Sequence, residues 1–425
     1  MKKFLLFTPT LIVSCATQFQ DIPPIVQVKD IVQTATKHSE TATNLTFENL
    51  PTKVRALNPQ LTAARHLIGE AQGRLRQSGL KSNPSLEIEF EANRRFHDLM
   101  LTVGYSQKFP RTNRLLLEKK TSQILVQAAS AEIRDVERQL IGEARLAFTQ
   151  VLALRQEKKL IQEQEANARQ LADFITASVK NGEASPLEVG TALLEATRLA
   201  NRAQQVSIRS DLALAKLKPL LGLKAEDSLT TTATLPDTNL PPRLIASIRR
   251  PDLQAAQLRA QSAAASSELE RSKRLDDIEA GVFVGVGRAE DAPTGIESEQ
   301  IIGFRVKIPF ATNNDNSGNV LAAEARQRRF SAEANAIQLS ISAEAGAYYQ
   351  EMAQWNALAR QIESKLIPMA DQQIAQAREA YFQGEVPLQD ILRAREQRLS
   401  LQTSKLEAAR DFHFAHANYL TATAQ

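Results

Sequence analysis

With 425 residues, 43% hydrophobic but only 5% aromatic and a single Trp, the chain has the Ala-, Gln-, Leu-, Glu- and Arg-rich composition of long helices, not that of a packed α/β enzyme. Its 52 Lys and Arg nearly cancel 48 Asp and Glu, leaving a net charge of +4. No basic run with interleaved aromatics accompanies that small excess, which argues against a nucleic-acid surface.

The N-terminus reads as a secretory signal over residues 1–14. Lys2-Lys3 is its positive region, and Phe4 to Val13 is an apolar stretch too short to span a bilayer as a helix. It ends Leu11-Ile12-Val13-Ser14-Cys15, which resembles the bacterial lipobox, whose cysteine is lipidated and becomes the first residue. Cys15 is the one cysteine of the chain and has no internal disulfide partner. An ordinary signal peptide with a chance cysteine is the plainer alternative. In the lipobox reading, Ala16 stands where an aspartate would favour retention at the inner membrane, so the outer membrane is the implied destination. No later stretch approaches the roughly 18 consecutive apolar residues of a transmembrane helix, so a membrane would be crossed only by strands of a closed barrel.

Residues 15–55 are polar and Thr-rich, with Pro23-Pro24, and read as a partly extended tether from the lipid anchor. Helical periodicity begins near Leu57-Asn58-Pro59 and stops at Gly79 and Asn83-Pro84. The period then becomes two. Leu86, Ile88 and Phe90 alternate with Glu87, Glu89 and Glu91. After a polar turn from Asn93 to Asp98, Leu99, Leu101, Val103 and Tyr105 alternate with Met100, Thr102, Gly104 and Ser106. This predicts a strand pair over 84–109, each strand of the roughly 9–11 residues that cross a membrane when tilted.

Over 111–181 an apolar heptad runs Ile133, Leu140, Ala147, Leu154, Ile161, Ala168, Ile175. It predicts a helix on the order of 100 Å long, wider than any single compact domain. Asn181-Gly182-Glu183 signals a turn, and Ser185-Pro186 restarts a helix over 185–221, with Ser185 as N-cap. A Thr/Pro-rich linker fills 227–249.

The chain then repeats itself. Pro59-Gln60-Leu61-Thr62-Ala63-Ala64 is echoed by Pro251-Asp252-Leu253-Gln254-Ala255-Ala256. A second strand pair is expected over 278–309, interrupted by an acidic loop from Arg288 to Glu299. A second long helix, over 317–383, should kink at Pro368. Gln383-Gly384-Glu385 turns it, and Pro387-Leu388 restarts a helix over 387–420. Two repeats, 56–226 and 250–425, thus make up nearly the whole mature chain. The expected fold class is mainly α with a transmembrane β-barrel portion: long antiparallel helical hairpins plus four strands per chain. Four strands cannot close a barrel, for which about eight is the minimum, and open edges are not tolerated in lipid. The strands therefore argue for an oligomer, three chains supplying a 12-stranded barrel above an α-helical tube.

Several stretches resemble the TolC family of bacterial outer-membrane efflux proteins, over roughly residues 45–420. They are Asn58-Pro59-x-Leu61, the run from Arg74 to Leu86, and Gly104-Tyr105-Ser106-Gln107-Lys108-Phe109-Pro110. Two more are Gly182-x-x-Ser185-x-Leu187-Glu188-Val189 and Gly384-x-x-Pro387-Leu388-x-Asp390-Ile391-Leu392. With the lipobox, the resemblance points to the lipoprotein branch that includes metal-efflux and multidrug members. It implies a homotrimer in outer-membrane lipid whose tube crosses the periplasm to meet a periplasmic adaptor and an inner-membrane pump of the proton-driven RND type. It implies a passive conduit, not an enzyme, without cofactor.

In the family, Gly182, Ser185, Gly384 and Pro387 fall at the periplasmic tips where adaptor helices dock; as bare sequence, Gly182 and Gly384 are also plain helix C-caps. Asp390 falls at the family's constriction, where a ring of three aspartates would favour cations; a solvated face is the alternative. Arg393 stands where the family often has another acid, and could pair with Asp390. Two rival readings stay open: the exit duct of a type I secretion system, and a periplasmic coiled-coil scaffold or adaptor without a pore. Among the histidines His38, His66, His97, His413 and His416, the last two lie at i, i+3 with no evident third metal ligand, and Trp355 sits on a helical seam.

Overall fold

The computed structural model describes residues 43–93, 98–182, 184–231, 233–243, 249–291 and 295–425. The expected signal peptide, Cys15, most of the tether, His38, His97, Glu183 and part of the linker lie outside the described residues.

The scaffold is helical. A short strand β1 (Thr43–Asn44) precedes α1 (Leu50–Leu57) and α2 (Pro59–Gln77). Strands β2 (Ser85–Ala92) and β3 (Leu99–Phe109) lead into α3 (Arg114–Lys180). This helix runs 67 residues without a proline, and its buried residues include the expected heptad positions Ile133, Leu140, Leu154, Ile161, Ala168 and Ile175. Helix α4 (Pro186–Leu220) packs back along it. After β4 (Leu229–Thr230), the second half supplies α5 (Pro251–Ser272), β5 (Ile278–Asp291), β6 (Gly295–Lys307) and α6 (Ser317–Gln361). A π-turn (Ile362–Leu366), α7 (Ile367–Phe382) and α8 (Leu388–Thr423) complete it. Helix α3 packs on α2, α4, α5 and α8, while α8 also packs on α6 and α7, so the two hairpins lie side by side.

Three segments differ from the sequence expectation. The tether expected through residue 55 ends earlier, because α1 buries Leu50 and Val54 completely against α3. The Thr46–Asn49 turn before it is closed from both sides: the Thr46 amide donates to Asn49 Oδ1 (3.0 Å) and the Asn49 amide to Thr46 Oγ1 (3.3 Å). The second long helix carries a π-turn over Ile362–Leu366 that the sequence did not announce. Pro368 has no N–H to give, and a π-turn just ahead of it absorbs the misfit before the helix resumes. The expected acidic loop from Arg288 to Glu299 is mostly strand, since β5 and β6 stay paired out to Asp291 and Gly295. Ile296 and Ser298 continue one face while Glu297 and Glu299 continue the other, so the charge hid an intact period of two.

The four longer strands form one antiparallel sheet in the order β2-β3-β5-β6. The two hairpins therefore join through β3 and β5, and β2 and β6 are its edges. Separately, β1 pairs in parallel with β4 at the waist of the helices, where Leu45 and Leu229 join the core around Phe148, Leu152 and Leu217.

Candidate functional site

The sheet's register sorts its side chains into two unlike faces. Leu86, Tyr105, Val282 and Phe304 stand directly opposite one another, as do Ile88, Val103, Val284 and Ile302. Phe90, Leu101 and Val286 make a third row. These side chains are not core: Ile302 is 83% exposed and Phe304 80%. A contiguous bare apolar face on a sheet requires a non-aqueous neighbour. Strand β3, Leu99–Phe109, spans about 33 Å at 3.3 Å per residue, which rises about 25 Å at a tilt of about 40°, the height of a lipid-facing band.

The opposite face carries Glu87, Glu89 and Glu91 on β2, Met100, Thr102, Gly104, Ser106 and Lys108 on β3, Glu279, Phe283 and three glycines on β5, and Arg305 and Lys307 on β6. Arg305 reaches over the sheet to within 3.5 Å of Glu87, its guanidinium lying 5.5 Å from the Phe283 ring centre. That crossing is open because Gly303 leaves room for Phe283; a Cβ there would sit 2.5 Å from the ring. A cavity of about 120 Å³ lies on this face, lined by Glu87, Thr102, Ser106, Glu279 and Arg305 among others.

At the far end of each hairpin from the strands is a turn. Gly182 and Gly384 adopt φ of +77° and +78°, which a side chain would oppose. The second turn is a Schellman closure: the Glu385 amide donates to the Ala380 carbonyl (2.9 Å) and the Gly384 amide to that of Tyr381 (3.0 Å). Past the first turn, Ser185 Oγ accepts from the Leu187 amide (3.2 Å), and the Glu188 carboxylate accepts from the Ser185 amide (2.9 Å), a complete capping box. Pro387 occupies the cap position of α8 with extended backbone and no side-chain cap. Asp390 in the next turn supplies the acid that a helix N-terminus favours.

The structure brings the two tips together. Ala172, Ile175, Ala192, Leu388 and Ile391 form one buried cluster shared by both hairpins. The Tyr381 hydroxyl lies beside Glu188, so one carboxylate caps α4 and also faces α7. Burial, and then Glu188, push the Tyr381 phenol above its ordinary range. Phe174 meets Phe382 edge to face at 6.0 Å. Further along, Arg198 of α4 bonds Glu195 (2.8 Å) and Glu396 of α8 (2.9 Å), and these bonds raise its pKa. Arg393 lies 3.5 Å from Asp390, the pairing that the sequence offered, so the acid has a basic partner within its own helix.

Neither Tyr381 nor Arg198 stood out in the sequence. Glu188 at the third helical position after Ser185 was the available signal, since it completes a capping box; its second partner lies nearly two hundred positions away. His413 is buried, its Nε2 2.9 Å from the Pro236 carbonyl. Among the described residues no group of three or more His, Cys, Asp or Glu is arranged to hold a metal, and no helix is long and apolar enough to cross a membrane.

The profile of the outer membrane efflux protein family matches residues 50–222. No curated protein matches the sequence. Solved structures do match the fold. A CusC structure, from work on transmembrane channel formation, superposes with a TM-score of 0.73 at 16% identity, covering 91% of this chain and 95% of that one. The outer membrane protein VceC of Vibrio cholerae gives 0.70 at 18% identity, covering 89% and 95%. The open-state MtrE outer membrane channel of Neisseria gonorrhoeae gives 0.68 at 14% identity, covering 89% and 88%.

Proposed function

We propose that this chain, whose residues 50–222 match the profile of the outer membrane efflux protein family, is the outer-membrane exit duct of a tripartite efflux pump. It works as a homotrimer, as a passive conduit for small molecules or metal ions, and catalyses nothing. The observation that carries this reading is the sheet: four strands with one bare apolar face, one charged face and two edges that pair on one side only. In lipid such edges must be satisfied, and three copies joined β6 to β2 would close a 12-stranded wall, apolar face outward and Glu87, Glu89 and Arg305 inward.

On this reading the helices form a periplasmic tube, with the turns at Gly182–Ser185 and Gly384–Pro387 as the mouth that meets the adaptor. An inner-membrane pump, proton-driven and of the RND type, supplies the energy. Asp390 and Arg393 line the mouth as a charge-balanced gate, and Cys15 carries the lipid anchor. The test is direct. Membranes are fractionated, and the protein is run on gels with and without heating, then added to planar bilayers. A heat-sensitive trimer of the outer membrane that forms conducting pores is expected. A monomer that washes off the membrane and leaves bilayers silent would overturn the proposal.

A further inference from the structure

The sheet ends in two unlike edges. Counted from the helix end, β2 turns Leu86, Ile88 and Phe90 to the apolar face and Glu87, Glu89 and Glu91 to the other. Edge β6 turns Val306, Phe304 and Ile302 to the apolar face and Lys307, Arg305 and Gly303 to the other. All of these acids and cations are exposed. Two further acids, Glu297 and Glu299, lie at the outer end of β6. Strand β2, 8 residues against 13, is too short to reach them when the helix ends of the two strands are level.

Within one chain the two edges already attract each other. Arg305 Nη1 lies 3.5 Å from Glu87 Oε2, although β3 and β5 stand between the two strands, whose backbones a flat sheet would hold about 14 Å apart. The crossing runs over Gly104, Ser106 and Gly281. A Cβ at Gly281 would sit 2.6 Å from the Tyr105 carbonyl oxygen and 2.9 Å from Ser106 Cβ, so this path has no room for a larger residue there. The pair is open to water on both sides, at 60% and 52% exposure, so it is weak and readily exchanged. Lys307 has Glu279 directly opposite on β5. Glu279 also stands opposite Lys108 and accepts from Ser106 Oγ (3.1 Å), which leaves cation in excess. Glu89 and Glu91 have Thr102 and Met100 opposite them on β3, and no cation.

We propose that the seam between copies is read by charge: Arg305 and Lys307 on β6 of one copy face the row Glu87, Glu89 and Glu91 on β2 of the next, and the Arg305–Glu87 bridge within each chain is exchanged for that contact as the ring closes. Charge then selects the neighbour in the duct proposed above, on which this seam rests. With β6 antiparallel to β2, cations meet acids while Val306, Phe304 and Ile302 meet Leu86, Ile88 and Phe90, so both faces of the sheet run on unbroken. The other contacts are repelled. β2 against β2 sets acid on acid, and β6 against β6, with the helices of both copies on one side of the membrane, sets cation on cation. What remains is the head-to-tail contact, which builds rings and not two-fold pairs. The acid row is redundant: with one member neutralised, two still answer two cations.

Cysteines on the two edges of the full-length protein test the seam in outer membranes, because a disulfide needs Cα atoms within about 7 Å and the span across one sheet is about twice that. Arg305→Cys is combined in turn with Glu87→Cys, Glu89→Cys and Glu91→Cys and mildly oxidised, the parent setting the background from Cys15. At least one combination should give covalent dimers and trimers on denaturing gels, which a reductant collapses. Arg305→Glu with Lys307→Glu should lower the heat-sensitive trimer about tenfold, and adding Glu87→Lys and Glu89→Lys should restore it. A trimer with no cross-link between copies, or one indifferent to the reversed charges, overturns the charge-read seam and leaves the duct standing. A parent that forms no trimer overturns both. If the reversed variants fail to fold, the cross-links still decide.

Discussion

At the scale of single residues, the decisive side chains are those that serve two elements at once. Asn58, 2% exposed, accepts from the Leu61 amide (3.0 Å) as the cap of α2 and donates to the Leu220 carbonyl (2.9 Å) at the end of α4. Asn58→Ala leaves both groups unsatisfied and should cost about 1–3 kcal/mol, read from chemical denaturation. The start of this helix near Asn58-Pro59 was legible, because it is local; the partner 162 positions on was not. Asp390 and Arg393 present the opposite case. Their 3.5 Å pair is exposed on both sides, so Arg393→Ala should change stability by less than about 1 kcal/mol. It should nonetheless uncover a carboxylate in each of three chains and shift the reversal potential of a bilayer-inserted trimer toward cation selectivity.

Elements repeat what residues show: strong local periods are readable, and adjustments to distant partners are not. The long helices and the alternating strands follow from spacing alone. Helix α1 does not, because Leu45, Phe47, Leu50 and Val54 sit in a Thr-rich stretch and find their partners only once α3 and α4 are in place. Nor does the π-turn, since Pro368 announces a break but not how the backbone absorbs it. At the tips, the hairpins are held by the Glu188–Tyr381 contact, a small apolar cluster and the Arg198–Glu396 pair. Tyr381→Phe combined with Glu188→Gln removes the first of these and keeps the capping box, since a Gln oxygen still accepts from the Ser185 amide. Single-channel recordings should show a larger or more frequently open pore, while heat-sensitive gel mobility stays that of the parent.

For the molecule as a whole, the two faces of the sheet make separable predictions. Ile302→Arg places a charge on the bare face and should cost about 2–4 kcal/mol near mid-bilayer, seen as loss of the heat-sensitive species and of outer-membrane recovery. Glu89→Gln on the other face should leave assembly intact and alter only ion preference. The edges β2 and β6 carry a further consequence for the cell. A solitary subunit reaches the membrane with two rows of backbone groups unanswered, so it is a liability until it finds two companions. Inheritance should then follow the arithmetic of threes. In a cell making sound and edge-damaged copies equally, only about one assembly in eight would be wholly sound, so a recessive-looking lesion in β2 or β6 should behave as a dominant one.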